Sequence, residues 1–160
     1  SDAAARPEGF QRVADALRRL GHEHPPLWLD VAARTSQEAA DALGVALGQI
    51  AKSVVFRRKA DDRPVLVIAS GDRRVDEHRL AALVGAVGRA DAAYVKARTG
   101  FAIGGVSPVG LADAATLLLD AQLQRFDLIW AAAGHPNGVF RLSPAALQRL
   151  TGADWAEVAA

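Results

Sequence analysis

Two stretches carry residues whose types and spacing could do chemistry. The first is Ala51–Arg57, a β-branched run in which alternation puts Lys52 on one face with Val54 and Phe56, and Ser53 on the other with Val55 and Arg57. An ammonium beside two large apolar side chains pays a desolvation cost unless a polar or anionic group meets it. Lys52 is therefore a candidate point charge for a bound ligand; the plainer alternative is a lysine reaching from the strand's start to solvent. The second stretch is Thr99–Gly110, which holds four glycines and no charged residue. Gly104-Gly105 permits positive φ or close approach of another group, and Pro108 stiffens the chain around Ser107. Bare peptide groups held in a stiff loop suit the wall of a small-molecule pocket, although a tight connection between strands accounts for the same residues.

Three further constellations are thinner. Thr35-Ser36-Gln37-Glu38 has the form of a capping box, and a helix N-terminus can also hold a polar or anionic group, so Thr35 and Ser36 are candidate ligand contacts as well as caps. His22-Glu23-His24 suggests a metal only weakly, with two other histidines and no cysteine in the chain, and a polar loop explains it better. Gly105-Val106-Ser107-Pro108-Val109-Gly110 resembles a nucleophile elbow, but its second glycine falls one place late and Pro108 sits where a helix should begin. No Gly-Lys-Ser/Thr phosphate loop is present, and no Gly-x-Gly-x-x-Gly follows a strand.

These residues need a scaffold, and the periodicities supply one. Gly9–Leu20 reads as an amphipathic helix with Phe10, Val13, Ala14, Leu17 and Leu20 on one face, closed by Gly21. Leu27–Ala33 reads as a strand, followed by a short helix that ends at Gly44. Ala51–Arg57 and Val65–Ala69 flank a charged hairpin connection over 57–64. Ser70–Arg74 turns the chain into a helix over Val75–Val84, with Asp76 and Glu77 near its positive end. Gly85 and Gly88 mark a loose connection, and Asp91 caps a short helix that stops at Gly100. Strands are expected over Thr116–Asp120, Asp127–Ala133 and Val139–Leu142, with a turn at Gly134–Gly138. Ser143-Pro144 opens a last helix to Leu150, and Asp154–Val158 forms a short tail element. Hairpins and helices without regular βαβ alternation predict an α+β fold around a curved mixed β-sheet, in one domain over 1–160.

Composition narrows the function classes. The 160 residues carry a formal net charge of +1 and are 51% hydrophobic, so no global field draws the chain to nucleic acid or membrane. Cysteine is absent, which excludes thiol catalysis. No apolar run approaches the ~20 residues of a membrane span. Ser1–Glu8 lacks the basic-then-apolar order of a signal peptide, which makes cytoplasm the default expectation. Of 19 basic residues only Lys52, Lys59 and Lys96 are lysines.

Ala51-Lys52-Ser53-Val54-Val55-Phe56, Gly71-Asp72-Arg73-Arg74-Val75-Asp76, Thr99-Gly100, Gly104-Gly105-Val106-Ser107-Pro108, Ala133-Gly134 and Leu150-Thr151-Gly152-Ala153 together resemble the YbaK/prolyl-tRNA-synthetase-associated editing domains, over roughly residues 27–158. The resemblance implies a mixed, barrel-like sheet flanked by helices. It implies a free-standing aminoacyl-tRNA deacylase that removes a small wrong amino acid (alanine, cysteine, serine or threonine) from a tRNA, often one for proline. On that reading Lys52 and the Gly104-Gly105-Val106-Ser107-Pro108 loop are catalytic. Thr35, Ser36, Ser53, Thr99, Gly100, Gly134 and His135 contact the aminoacyl end, and Arg57, Arg58, Arg73 and Arg74 meet phosphates of the acceptor end. The implied partners are an aminoacyl-tRNA 3′ end and, as a docking surface, prolyl-tRNA synthetase. Neither cofactor, metal nor membrane is implied. Two alternatives remain at this point: a module that binds an aminoacyl end or a metabolite without turnover, and a different hydrolase using Ser107 or His135.

Overall fold

The computed structural model describes residues 5–160, so the first four residues of the Ser1–Glu8 stretch lie outside the described residues. The centre of the sheet is the hairpin of β2 (Ile50–Arg58) and β3 (Pro64–Ser70), paired in register from Ala51↔Ser70 to Arg57↔Pro64. Every residue of β3 is buried. Its unbroken apolar run follows from having both faces covered: Leu66 and Ile68 enter the main core with Phe10, Leu17, Phe101, Leu119 and Phe140, while Val65, Val67 and Ala69 pack with Phe56, Leu80 and Val158.

Among the described residues five α-helices surround this sheet: α1 (Glu8–Arg19), α2 (Ser36–Leu43), α3 (Glu77–Val84), α4 (Ala92–Thr99) and α5 (Pro144–Thr151). The remaining strands are β1 (Leu27–Trp28), β4 (Val87–Arg89), β5 (Thr116–Asp120), β6 (Ile129–Ala132), β7 (Gly138–Leu142) and β8 (Asp154–Ala156). Strand order is β1-β7-β6-β2-β3-β5-β8, with β4 as a branch on β2. Antiparallel pairs come from β2–β3, β2–β4, β6–β7 and β1–β7; parallel pairs come from β2–β6, β3–β5 and β5–β8. The sheet is thus mixed, as expected for an α+β chain.

One edge of β2 is divided. Ile50 and Ala51 pair with β6, and Phe56–Arg58 pair with β4. Among the described residues no strand pairs with Lys52–Val55 on that edge, so the sheet opens beside Lys52.

Three local readings need correction. The strand expected over Leu27–Ala33 survives only as Leu27–Trp28, because the chain then bends around the 134–138 turn, with Leu29 and Ala33 donating to the carbonyls of Asn137 and Pro136. The loose connection at 85–88 contains an edge strand, since Gly88 pairs opposite Arg57. Leu20 is half-exposed at the end of α1 instead of completing its buried stripe.

The turn between β3 and α3 is anchored from beneath. Asp120 is fully buried, and its carboxylate accepts from the backbone N–H of Ser70 at 3.0 Å and of Gln122 at 2.9 Å. Asp120→Ala would leave both donors unmatched and is expected to destabilise the fold by about 2–4 kcal/mol, read from urea denaturation. No helix among the described residues is long and apolar enough to cross a membrane.

Candidate functional site

Where the sheet opens beside Lys52 there is a pocket of about 320 Å³. Its floor is apolar. Ala33, Ala39, Ile50, Trp130 and Val139 form a separate small core that closes it from below. Arg34, Thr35 and Ser36 at the start of α2 make one wall, and Ile103, Gly104 and Val106 of the glycine-rich loop make another. Lys52 and Ser53 enter from β2. No acidic residue stands among the described lining residues.

Lys52 is held, not free. Its Nζ donates to the carbonyl of Arg73 at 2.6 Å, which answers the desolvation problem posed by its apolar neighbours. An ammonium has three protons, so two remain for a ligand. Burial first, and then the charge of Arg74, pull its pKa below the ordinary value, while Asp120 and Asp72 offset part of that shift. The Arg73 carbonyl sits in a braced turn. Arg125 grips Asp72 with two nitrogens, at 2.8 and 3.2 Å, and donates to the Ser70 hydroxyl at 2.7 Å. That contact is the main reason Asp72 ionises more readily than an ordinary carboxylic acid.

Two residues of the pocket lining also carry a buried polar atom with no protein partner, the Ser53 hydroxyl and the Trp130 indole N–H. Both atoms are shielded from solvent, so neither opens onto the cavity as it stands.

The loop carrying Gly104 is shaped by contact. Gly104 has φ +91°, in the region that favours glycine. Gly105 is pressed against the backbone of His135, so that a Cβ there would lie 2.7 Å from the His135 nitrogen. His135 does not line the pocket. Its Nδ1 accepts from the Asn137 N–H at 3.0 Å, which leaves the proton of the neutral ring on Nε2. The ring lies 4.8 Å from that of Trp28, and burial, with a smaller push from Arg34, lowers its pKa.

The residues singled out from the sequence separate into groups. Thr35, Ser36, Lys52, Ser53, Gly104 and Val106 come together at the pocket. Thr35 also performs its capping role, accepting from the Glu38 N–H, with Glu38 returning the bond. Ser107 is fully buried and its hydroxyl accepts from the Val109 N–H, so the structure turns the candidate nucleophile into the core. Pro108 lies on a different groove, beside Leu20 and Leu150. Thr99 is buried with its hydroxyl engaged by Val95 and Phe101, and Gly100 ends α4. Gly134 packs on the backbone of Gly9.

Among the arginines, Arg74 acts on Lys52 through its charge, whereas Arg73 holds Lys52 by its carbonyl and turns its side chain to Asp72 and Gln122. Arg57 and Arg58 lie five and six residues along β2, roughly 17–20 Å away, and are paired with Asp62 and Asp61. The sequence reading missed Arg34 and Trp130. Neither lies in a motif, and only the β2–β6 pairing and the bend after β1 bring them to Lys52.

The aminoacyl-tRNA editing domain model matches residues 30–150 of the chain. The YwhH protein of Bacillus subtilis, whose function is uncharacterised, is 34% identical over 143 residues, covering 89% of this chain and 90% of that protein. EbsC of Enterococcus faecalis, a candidate Cys-tRNA(Pro)/Cys-tRNA(Cys) deacylase, is 28% identical over 126 residues, covering 78% and 76%. A crystal structure of a candidate trans-editing enzyme for prolyl-tRNA synthetase superposes with a TM-score of 0.89 at 37% identity, covering 96% of this chain and 98% of that one.

Proposed function

The chain belongs to the aminoacyl-tRNA editing domain family, and from that premise we propose that it removes a small wrong amino acid from tRNA for proline, acting in trans as a single domain. The observation that carries this reading is the half-buried Lys52 ammonium at an apolar pocket of about 320 Å³ that has no acidic lining among the described residues. Such a pocket accepts a small side chain, and its charge faces the ester and the terminal ribose or phosphate.

An aminoacyl ester is activated, so hydrolysis needs it held still, with water admitted and the developing negative oxygen stabilised. Water adds to the ester carbonyl carbon and gives a tetrahedral intermediate. The two free Lys52 protons and the peptide N–H groups of Gly104 and Val106 offer donors to its oxyanion. Collapse breaks the bond to the ribose oxygen, which takes up a proton, and a free amino acid and an uncharged tRNA leave. Arg74, whose charge is felt at Lys52, is the candidate for phosphates of the unpaired 3′ end, while the Arg73 guanidinium is turned to Asp72 and Gln122.

The test is single-turnover deacylation of tRNA for proline charged separately with alanine, cysteine, serine, threonine and proline. Fast loss of one or two small esters with proline retained is expected. Binding should weaken as salt rises if phosphate contacts supply it. Stability of every ester despite measurable binding would overturn the reading and leave a module that holds the aminoacyl end.

A further inference from the structure

The glycine-rich loop forms one wall of the pocket and buries Phe101, Val106, Ser107 and Val109 in the core. Its internal backbone bonds include Gly105 to the Ala102 carbonyl, and the Ser107 hydroxyl caps Val109. Its two ends are held from elsewhere. Arg12, on α1, donates from Nε to the carbonyl of Gly110 at 2.8 Å and from Nη2 to the carbonyl of Thr99 at 3.1 Å. The same guanidinium lies 4.2 Å over the ring of Phe101, and Gly100 passes so close that a Cβ there would collide with it. This planar side chain braces the base of the loop from Thr99 to Gly110, which the backbone also closes through the Ala112 N–H to the Thr99 carbonyl and the Asp113 N–H to the Arg98 carbonyl. A turn further back along α1, Gly9 abuts the backbone of Gly134 in the turn that presses on Gly105. Both segments that shape this side of the pocket are referred to α1, which lies outside the 30–150 stretch matched by the family model.

We propose that Arg12 is a positioning residue for hydrolysis, acting through the 99–110 loop without contact with the substrate. The proposal rests on the deacylase reading for its kinetic consequence, and on the loop geometry alone for its physical one. A guanidinium presents several donors in a fixed plane, so it can bridge two carbonyls. A lysine there keeps the charge near Phe101 but offers a single nitrogen. Small displacements of a positioned group cost rate steeply, and a shift of about 1 Å is worth up to roughly 100-fold.

The experiment compares wild type, Arg12→Ala, Arg12→Lys and Leu17→Ala. Leu17→Ala is a core control on the same helix, expected to lower Tm without touching the loop ends. The readouts are kcat and KM for deacylation at a temperature where all four are folded, and amide hydrogen exchange over residues 101–107. For Arg12→Ala a fall in kcat of roughly 10-fold is expected, with little change in KM and faster exchange in the loop. Arg12→Lys should recover only part of both, and Leu17→Ala should change neither. An unchanged kcat and exchange in Arg12→Ala, or the same fall in Leu17→Ala, would overturn the proposal. Should Arg12→Ala not fold, Arg12→Lys decides by the same readouts. If wild type hydrolyses no charged tRNA, the deacylase reading fails by itself, while loop exchange still reports whether Arg12 holds the loop.

Discussion

Lys52→Ala is expected to slow single-turnover deacylation on the order of 100- to 1000-fold, the usual cost of losing one pre-placed donor to a developing oxyanion. Lys52→Arg should not restore it, because a planar fork cannot take the place of a compact ammonium held 2.6 Å from the Arg73 carbonyl. The pH dependence follows from the same residue. Its pKa is lowered from 10.5, by burial first and by Arg74 second. If the ammonium is the working form, the rate falls as pH rises through that lowered pKa, and Lys52→Ala loses this limb of the profile. Stability moves the other way. Between the lowered folded value and the ordinary unfolded one, the unfolded chain binds more protons, so the Lys52 contribution to folding stability rises with pH over that window and is flat below it. The difference in unfolding free energy between wild type and Lys52→Gln, measured across the alkaline range, checks the sign. A rate profile identical in wild type and Lys52→Ala would remove the ammonium from the mechanism.

Gly105→Ala is expected to reduce the deacylation rate roughly 100-fold, as a displaced wall of the pocket should, and to destabilise the fold by about 1–3 kcal/mol. The added Cβ would lie 2.7, 2.8 and 3.0 Å from the N, Cα and C atoms of His135. All three are backbone, so no side chain can swing aside. Gly105 is not among the glycines with positive φ, which makes the effect one of space alone. The loop and the 134–138 turn must separate, and the loop carries Gly104 and Val106 into the pocket. Urea denaturation and single-turnover kinetics on the same preparation check both effects. Full activity at reduced stability would show that the loop–turn contact supports the fold and not the reaction.

What was legible in the sequence were features that depend on neighbours along the chain. The capping box at Thr35–Glu38, the Ser143-Pro144 helix start and the alternation along β2 all stand where local pattern put them. Lys52 was legible as a partly buried ammonium because the cost of burying it can be read from its own strand. Its partner was not, since the Arg73 carbonyl is a backbone group that any residue could supply. The place of Ser107 was not legible for a related reason. A serine between Val106 and Pro108 could stand exposed or buried, and here its hydroxyl is consumed by a two-residue turn inside the core. Arg57 and Arg58 have the right charge for phosphate, and only the structure shows Asp61 and Asp62 folded back onto them. Trp130 reaches the pocket through its pairing with Ile50, and Arg34 through the bond of its neighbour Ala33 to the Pro136 carbonyl; both contacts join segments distant in the chain, and no local pattern announces them.

The strand pairings carry one more consequence, for how this chain folds. The β2–β3 hairpin is local and can form early, but β2–β6 joins Ile50 to Trp130 and β3–β5 joins Val65 to Thr116. Parallel pairings across such intervals pay loop-closure entropy before any contact rewards them, which places the chain among the slower-folding topologies. Lys52, the glycine loop and Trp130 come from three separate stretches, so the pocket exists only after β6 has docked on β2. A partly folded intermediate holding the hairpin would bury apolar surface without any active centre, and recovery of deacylation during refolding should lag behind recovery of β-sheet signal.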